Sequence, residues 1–343
     1  MGVSAPPDPK IVRLERFLAE ASGAEKVRVL DFRPLAGGAV QENWRLDAEF
    51  AGGPFAGRQD LVLRTDATAP IPASHDRAKE FRIIEAVHAR GIKAPEPLWL
   101  CTDESVLGKT FFVMRRLPGI AAGHRVVKDA TLGGGHEALA EALASELVRI
   151  HALDRASLGL DFLVEPEPSP ALAAVRDLRA YLDRHPDPRP ILEWGLAWLE
   201  REAPPAGDVV LCHRDFRTGN YLADENGLVA ILDWEFTNLG DPDADIGWIC
   251  ARCWRFGAVE KVAGGIASRE TFVRAYERAS GRRIDRARID YYEIMAHARW
   301  AIIALQQGQR HVSGREPSLE LALTAHVVPE LELEILRLTE GAA

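Results

Sequence analysis

The chain has 343 residues, more than one average domain, and 47% of them are hydrophobic, enough for a sizeable core divided between two lobes. Its formal net charge of -9 argues against a nucleic-acid partner, which would need a basic footprint to neutralise phosphates, and leaves local basic patches open. Four cysteines make no disulfide framework, and Cys250-x-x-Cys253, with neither a second pair nor nearby histidines for zinc, is read as helix packing.

The amino terminus, MGVSAPPDPK, has no apolar core of signal-peptide type and no Ser or Thr at position 6 for myristoylation. No later run approaches a membrane span, so a cytoplasmic protein without membrane contacts is expected. A first helix is predicted over Pro9–Ala21. VRVLDFRPLAGGAVQENWRLDAEF then reads as two strands joined through Gly37-Gly38, and RQDLVLRTD as a third, which together suggest a small antiparallel sheet. Glycines at the first turn would let backbone amides approach nucleotide phosphates without interference from a Cβ. Arg64 closes the apolar run of the third strand. A helix over SHDRAKEFRIIEAVHARG follows, with Ser74 as its expected cap, Gly91 as its stop, and Glu80 at the edge of its apolar stripe. The apolar strand TFFVMRRLPG ends at Pro118-Gly119, where helical patterning begins, and the division between domains is expected at 1–114 and 115–343.

In the second part, a helix from about His136 to Leu153 buries Leu139, Leu143, Leu147 and Ile150, with a structural His151 near its end. Two further helices are separated by HPDPRP, and the chain is helical in pattern from Ala258 onward, interrupted by the polar loop GQRHVSGREP. Arg310, His311 and Arg315 in that loop could meet an anionic part of a ligand, although a solvated loop is the preferred reading. The most informative segment is LCHRDFRTGNYLADENGLVAILDWE. Asn226-Gly227 suits a type I′ hairpin between NYLAD and LVAILDW. The simplest register pairs Glu225 with Leu228 and sets Asn220 opposite Asp233, with Cβ atoms roughly 5 Å apart. An amide oxygen and a carboxylate side by side suit Mg²⁺, which takes oxygen ligands and keeps substrate phosphates in its shell. Asp215, just upstream, could accept the proton of an attacking hydroxyl.

His213-Arg214-Asp215 with Asn220 resembles a kinase catalytic loop, and Asp233-Trp234-Glu235 stands where kinases carry Asp-Phe-Gly. The chain resembles the aminoglycoside/choline phosphotransferase family, and within it the kinase-like domains related to those fused to acyl-CoA dehydrogenases. That resemblance implies an α+β, bilobal protein-kinase-like fold, with a small antiparallel-sheet N-lobe that binds nucleotide and a mainly helical C-lobe that carries catalysis and substrate. It implies ATP as donor, with Arg64 in place of the usual lysine and paired to Glu80. Met114 would border the adenine and the backbones of Arg115 and Leu117 would bond its edge. Asp245 would brace the catalytic loop, with Asp241 a turn residue or a neighbour of the metal. The connection from Asp233 to Asp245 is too short for a peptide-binding activation segment. A small hydroxylated acceptor is therefore expected, possibly a hydroxyacyl-CoA. An aminoglycoside-type antibiotic or a catalytically silent nucleotide-binding protein are the alternatives.

Overall fold

The computed structural model describes residues 8–35, 41–66, 74–314 and 316–340. The chain divides into two compact units, Met1–Leu117 and Pro118–Ala343.

In the first unit, helix α1 (Pro9–Ser22) starts where Asp8 accepts the Lys10 amide at 2.9 Å, and it stops at left-handed Gly23. Strands β1 (Lys26–Pro34), β2 (Gln41–Ala51), β3 (Gly57–Asp66), β4 (Pro97–Cys101) and β5 (Phe111–Arg115) form one antiparallel sheet in the order β1-β2-β3-β5-β4. One face packs Leu46, Ala48, Leu61, Leu63 and Val113 against Leu14 and Leu18 of α1. Helix α2 (Arg77–His88) is capped by Asp76, which accepts the Lys79 amide at 2.8 Å, rather than by the expected Ser74. Short helix α3 (Glu104–Leu107) lies between β4 and β5. The division falls after Leu117 and not after residue 114. Arg115 still pairs with Leu61 in the sheet, and the Arg116 amide donates to Asp60 O at 3.1 Å, so both belong to the first unit's hydrogen bonding.

The second unit is mainly helical. It comprises α4 (Gly123–Lys128), α5 (His136–His151), α6 (Pro170–Leu182), α7 (Pro190–Arg201), β6 (Val210–Cys212), β7 (Tyr221–Asp224), β8 (Gly227–Ile231), β9 (Asn238–Gly240), α8 (Pro242–Cys250), α9 (Arg269–Ser280), α10 (Arg286–Val312), α11 (Leu319–Ala325) and α12 (Val328–Glu340). Its core joins α6, α7, α10 and α12 through Val175, Leu192, Leu196, Ile294, Ile302, Leu331 and Ile335. Helix α10 runs on to Val312, so the expected polar loop is helical over its first half. There Arg310 donates to Gln307 Oε1 at 3.0 Å and pairs with Glu316, and His311 Nδ1 accepts the Ser318 amide at 3.1 Å, while Arg315 lies outside the described residues. Cys250 is buried, and Cys253 packs against the tryptophans at the end of α8, in keeping with a packing role. Among the described residues no helix is long and apolar enough to cross a membrane.

Helix α8 can lie against α10 only because Gly247 has no side chain. A Cβ there would come within 2.5 Å of Tyr292 backbone carbon. The obstacle is main chain and cannot rotate away. Gly247→Ala is therefore expected to destabilise the second unit by about 3 kcal/mol or more, read as a lower unfolding midpoint in denaturant. An unchanged midpoint would mean that the two helices separate freely.

Candidate active site

The residues singled out from the sequence fall into two sets, one in each unit. In the first unit Arg64 and Glu80 are both buried, and Arg64 Nε lies 3.0 Å from Glu80 Oε1. Arg64 Nη1 also donates to Asn43 Oδ1 at 3.3 Å. Arg77, missed in the sequence reading, is fully buried, pairs with the same Glu80 and places Nε 2.9 Å from Asp66 Oδ1. A carboxylate at this depth is tolerable only with such cationic and hydrogen-bonding partners. Met114 stands opposite Val62 on β5 and Arg115 opposite Leu61, with Leu117 just past the strand. Gly37 and Gly38 lie outside the described residues.

The second set is built on the hairpin β7–β8 and the loop that precedes it. The hairpin forms, but its register differs from the expected one. Asp224 Oδ1 accepts the amides of Asn226 at 2.8 Å and Gly227 at 3.1 Å, making an Asx turn that sets Asp224 opposite Gly227. A bulge at Leu222/Ala223 then shifts the pairing so that Tyr221 faces Ile231. Asn220 consequently exchanges a hydrogen bond with Leu232, whose amide donates to Asn220 O at 2.8 Å, and does not face Asp233. Asp233 is the next residue, in the left-handed region at φ 61° and ψ 64°, where the strand has ended.

Asp215 and Asn220 are brought together directly. Asn220 Nδ2 donates to Asp215 Oδ2 at 2.5 Å and to Asp215 O at 3.0 Å. Both partners are acceptors, so the amide nitrogen must face them. Asn220 Oδ1 is left on the other side with no partner among the described residues. The second Asp215 oxygen, Oδ1, accepts from Trp248 Nε1 at 2.8 Å and from Arg217 Nε at 3.1 Å. Neither Trp248 nor Arg217 was picked out beforehand. The available signal was Trp248 one helical turn after Asp245.

Asp245 holds the loop itself. Its Oδ2 accepts the His213 amide at 2.8 Å and its Oδ1 the Arg214 amide at 2.7 Å, while His151 Nε2 lies 3.2 Å from Oδ2. His151 Nδ1 meets Tyr276 Oη at 2.8 Å, so that histidine is structural. Burial opposes the Asp245 charge, but the hydrogen bond from His151 and the Arg214 amide outweigh it and hold the carboxyl below the usual aspartate range. Asp241 caps α8 by accepting the Asp243 amide at 2.9 Å and pairs with Arg288, which identifies it as a turn and capping residue.

His213 is fully buried, and burial lowers its pKa despite the nearby acids. It stays neutral in a single tautomer. Nε2 donates to Leu232 O at 2.9 Å, and Nδ1 accepts the Asp215 amide at 3.2 Å.

The family model for the phosphotransferase enzyme family matches residues 31–292. Mouse acyl-CoA dehydrogenase family member 10 is 30% identical over 202 residues, covering 57% of this chain and 18% of that protein. The chain thus spans less than a fifth of that relative's length. A Ralstonia eutropha crystal structure assigned to the aminoglycoside phosphotransferases superposes with a TM-score of 0.74 at 20% identity, covering 96% of this chain and 98% of that one. The aminoglycoside phosphotransferase APH(4)-Ia, in a ternary complex with AMP-PNP and hygromycin B, superposes with a TM-score of 0.59 at 18% identity, covering 96% and 99%. The α+β kinase-like fold expected from the sequence is the fold of these structures.

Because the Asp245 pKa is depressed in the folded state, its stabilisation is complete above the ordinary aspartate value and is lost as pH falls through the native one. Asp245→Asn replaces one accepting oxygen with a donor aimed at a backbone amide. The expected cost is about 2–3 kcal/mol at neutral pH, and the gap from the unsubstituted chain should close on acidification. A gap independent of pH between 7 and 3 would refute the assigned charge.

Proposed function

We propose that this chain, which belongs to the phosphotransferase enzyme family, moves the γ-phosphoryl group of ATP to a hydroxyl of a small molecule. The observation that carries the reading is the orientation of Asp215. One of its oxygens is fixed by Trp248 and Arg217 and the other by Asn220, so a carboxylate stands in a defined position at the end of a braced loop. Such a group orients an acceptor hydroxyl and takes its proton as the oxygen attacks.

Asn220 Oδ1 and the Asp233 carboxylate are oxygen donors of the kind Mg²⁺ prefers, and the commitment of Asn220 Nδ2 to Asp215 keeps its oxygen available. These two residues would hold the ion, whose contribution is neutralisation of phosphate charge. In the first unit Arg64, set by Glu80, would position the nucleotide phosphates, with Gly37 and Gly38 lending backbone amides. Met114, Arg115 and Leu117 would receive the adenine. Arginine in place of lysine offers a planar fork of donors with a different reach. Since the phosphoryl transition state is largely dissociative, alignment and charge stabilisation supply most of the acceleration.

The likeness to an acyl-CoA dehydrogenase family member supports a hydroxyacyl-CoA acceptor, whereas the likeness to aminoglycoside phosphotransferases supports an antibiotic. Asp215→Ala is expected to lower ADP release with MgATP and a pool of hydroxylated acceptors by about 10²- to 10⁴-fold while nucleotide affinity holds. Loss of ATP binding with residual turnover unchanged would contradict the assignment. Absence of phosphorylated product from every pool would favour a silent nucleotide-binding protein.

A further inference from the structure

The backbone of Arg214, left-handed at φ 64°, is held on both sides: its amide donates to Asp245 Oδ1 at 2.7 Å, and its carbonyl accepts from Arg299 Nη1 at 2.6 Å. The second contact bears directly on Asp215. Arg214 O and the Asp215 amide belong to one rigid peptide plane, and the amide donates to His213 Nδ1 at 3.2 Å, so Arg299 and His213 hold the two ends of that plane. The main chain entering the acid is thereby fixed.

Arg299 also reaches the Asp215 side chain, through one intermediate. Its guanidinium lies over the Trp248 ring, 4.3 Å from the centroid, and Trp248 Nε1 donates to Asp215 Oδ1 at 2.8 Å. A cation over the ring draws electron density from the indole and makes its N–H a stronger donor, so the charge of Arg299 strengthens the bond that aims the carboxylate. The other donor on Oδ1 is part of the same assembly. Arg217 lies over the Trp254 ring at 4.2 Å from its centroid, and Trp254 adjoins Trp248 at 5.4 Å between centroids. A planar guanidinium can stack by its face and donate by its edge at once, which a lysine ammonium cannot. Helix packing supplies the placement, for Arg299 stands two turns beyond Tyr292 on the face of α10 that meets Gly247 of α8.

Resting on the reading of Asp215 as the group that meets the acceptor hydroxyl, we infer that Arg299 is a positioning residue for that acid. It acts on the Asp215 main chain through Arg214 O and on the side chain through the Trp248 indole. Its removal leaves the acid in place but loosely aimed.

The full chain, isotope-labelled at the indole nitrogens of its eight tryptophans, is followed by NMR without nucleotide or acceptor, and Trp248→Phe assigns the resonance of interest. Asp215→Ala gives the position of the Trp248 indole proton when its hydrogen bond is lost. Arg299→Met removes both charge and donor; it is expected to move the proton towards that position and to speed its exchange with solvent about tenfold, while Trp194 and Trp198 of α7 stay in place. Arg299→Lys, which keeps the charge and a donor without the fork, should lie between. With MgATP and a pool of hydroxylated acceptors, Arg299→Met should lower turnover by about 10²-fold while ATP affinity holds. Arg278→Gln, at a surface pair with Glu141, should alter neither the resonance nor turnover. A Trp248 resonance unmoved in natively folded Arg299→Met overturns the inference, as does turnover equal to that of the unsubstituted chain. Should Arg299→Met not fold, an Arg299→Lys spectrum identical to the unsubstituted one overturns it equally. The indole measurement needs no acceptor, so a chain that shows the expected shifts and phosphorylates nothing counts against the kinase reading alone.

Discussion

One buried carboxylate organises the second unit's loop. Asp245 accepts two successive backbone amides, those of His213 and Arg214, and Arg214 adopts a left-handed conformation at φ 64°. A non-glycine residue pays for that conformation and keeps it only where the surroundings over-determine it. The ionised Asp245 supplies that determination from below. From it a closed circuit follows. His213 Nδ1 accepts from the Asp215 amide, Asn220 Nδ2 donates to Asp215, the Leu232 amide donates to Asn220 O, and Leu232 O accepts from His213 Nε2. Each link fixes the donor or acceptor role of the next. A flipped His213 would break two links at once and a charged one would lose the bond from the Asp215 amide, and burial favours the neutral ring.

Aromatic side chains protect this circuit from water and orient its acid. Trp234 lies against the His213 ring at 4.8 Å between centroids and satisfies its own nitrogen on Ile231 O at 3.0 Å. Trp248 sends its nitrogen to Asp215, packs at 5.4 Å from Trp254, and meets Trp300 edge-on. Low local polarity strengthens each hydrogen bond it encloses and makes each unmet polar group more costly. The same tryptophans present their faces to Arg217 and Arg299, so one aromatic cluster both positions the acid and carries positive charge beside it.

Sequence reasoning recovered what depends on short spacing. The antiparallel sheet followed from alternating apolar residues. The Arg64–Glu80 pair followed from the resemblance to kinases, whereas the direct bond between Asn220 and Asp215 was not read from the sequence, which set Asn220 opposite Asp233. What depends on competition between local geometries was hidden. Asp224 captured the turn with its own side chain and displaced the preferred Asn-Gly pairing. At the start of α2, Asp76 outcompeted Ser74, as an acid near the positive end of a helix dipole should. Long-range partners such as Arg299 with Trp248, 51 positions apart in the chain, have no signature in spacing. They are set by how α8 and α10 pack.

The altered register has a structural logic of its own. In an unbroken ladder, residues directly opposite share a face, and a slip of one residue moves a whole strand's side chains to the other face. The bulge at Leu222/Ala223 makes such a slip, since Leu222 pairs with Ala230 while Ala223 pairs with Leu228. Ala223 is held there by a second partner: its carbonyl accepts the Ile120 amide at 2.8 Å and its amide donates to Ile120 O at 3.2 Å. Continued as a strand, Leu232 would share Asn220's face and Asp233 would be turned from it. The left-handed backbone at Asp233 ends that alternation. The bulge and the left-handed residue thus act on the same hairpin, the first changing its register and the second ending its alternation at Asp233.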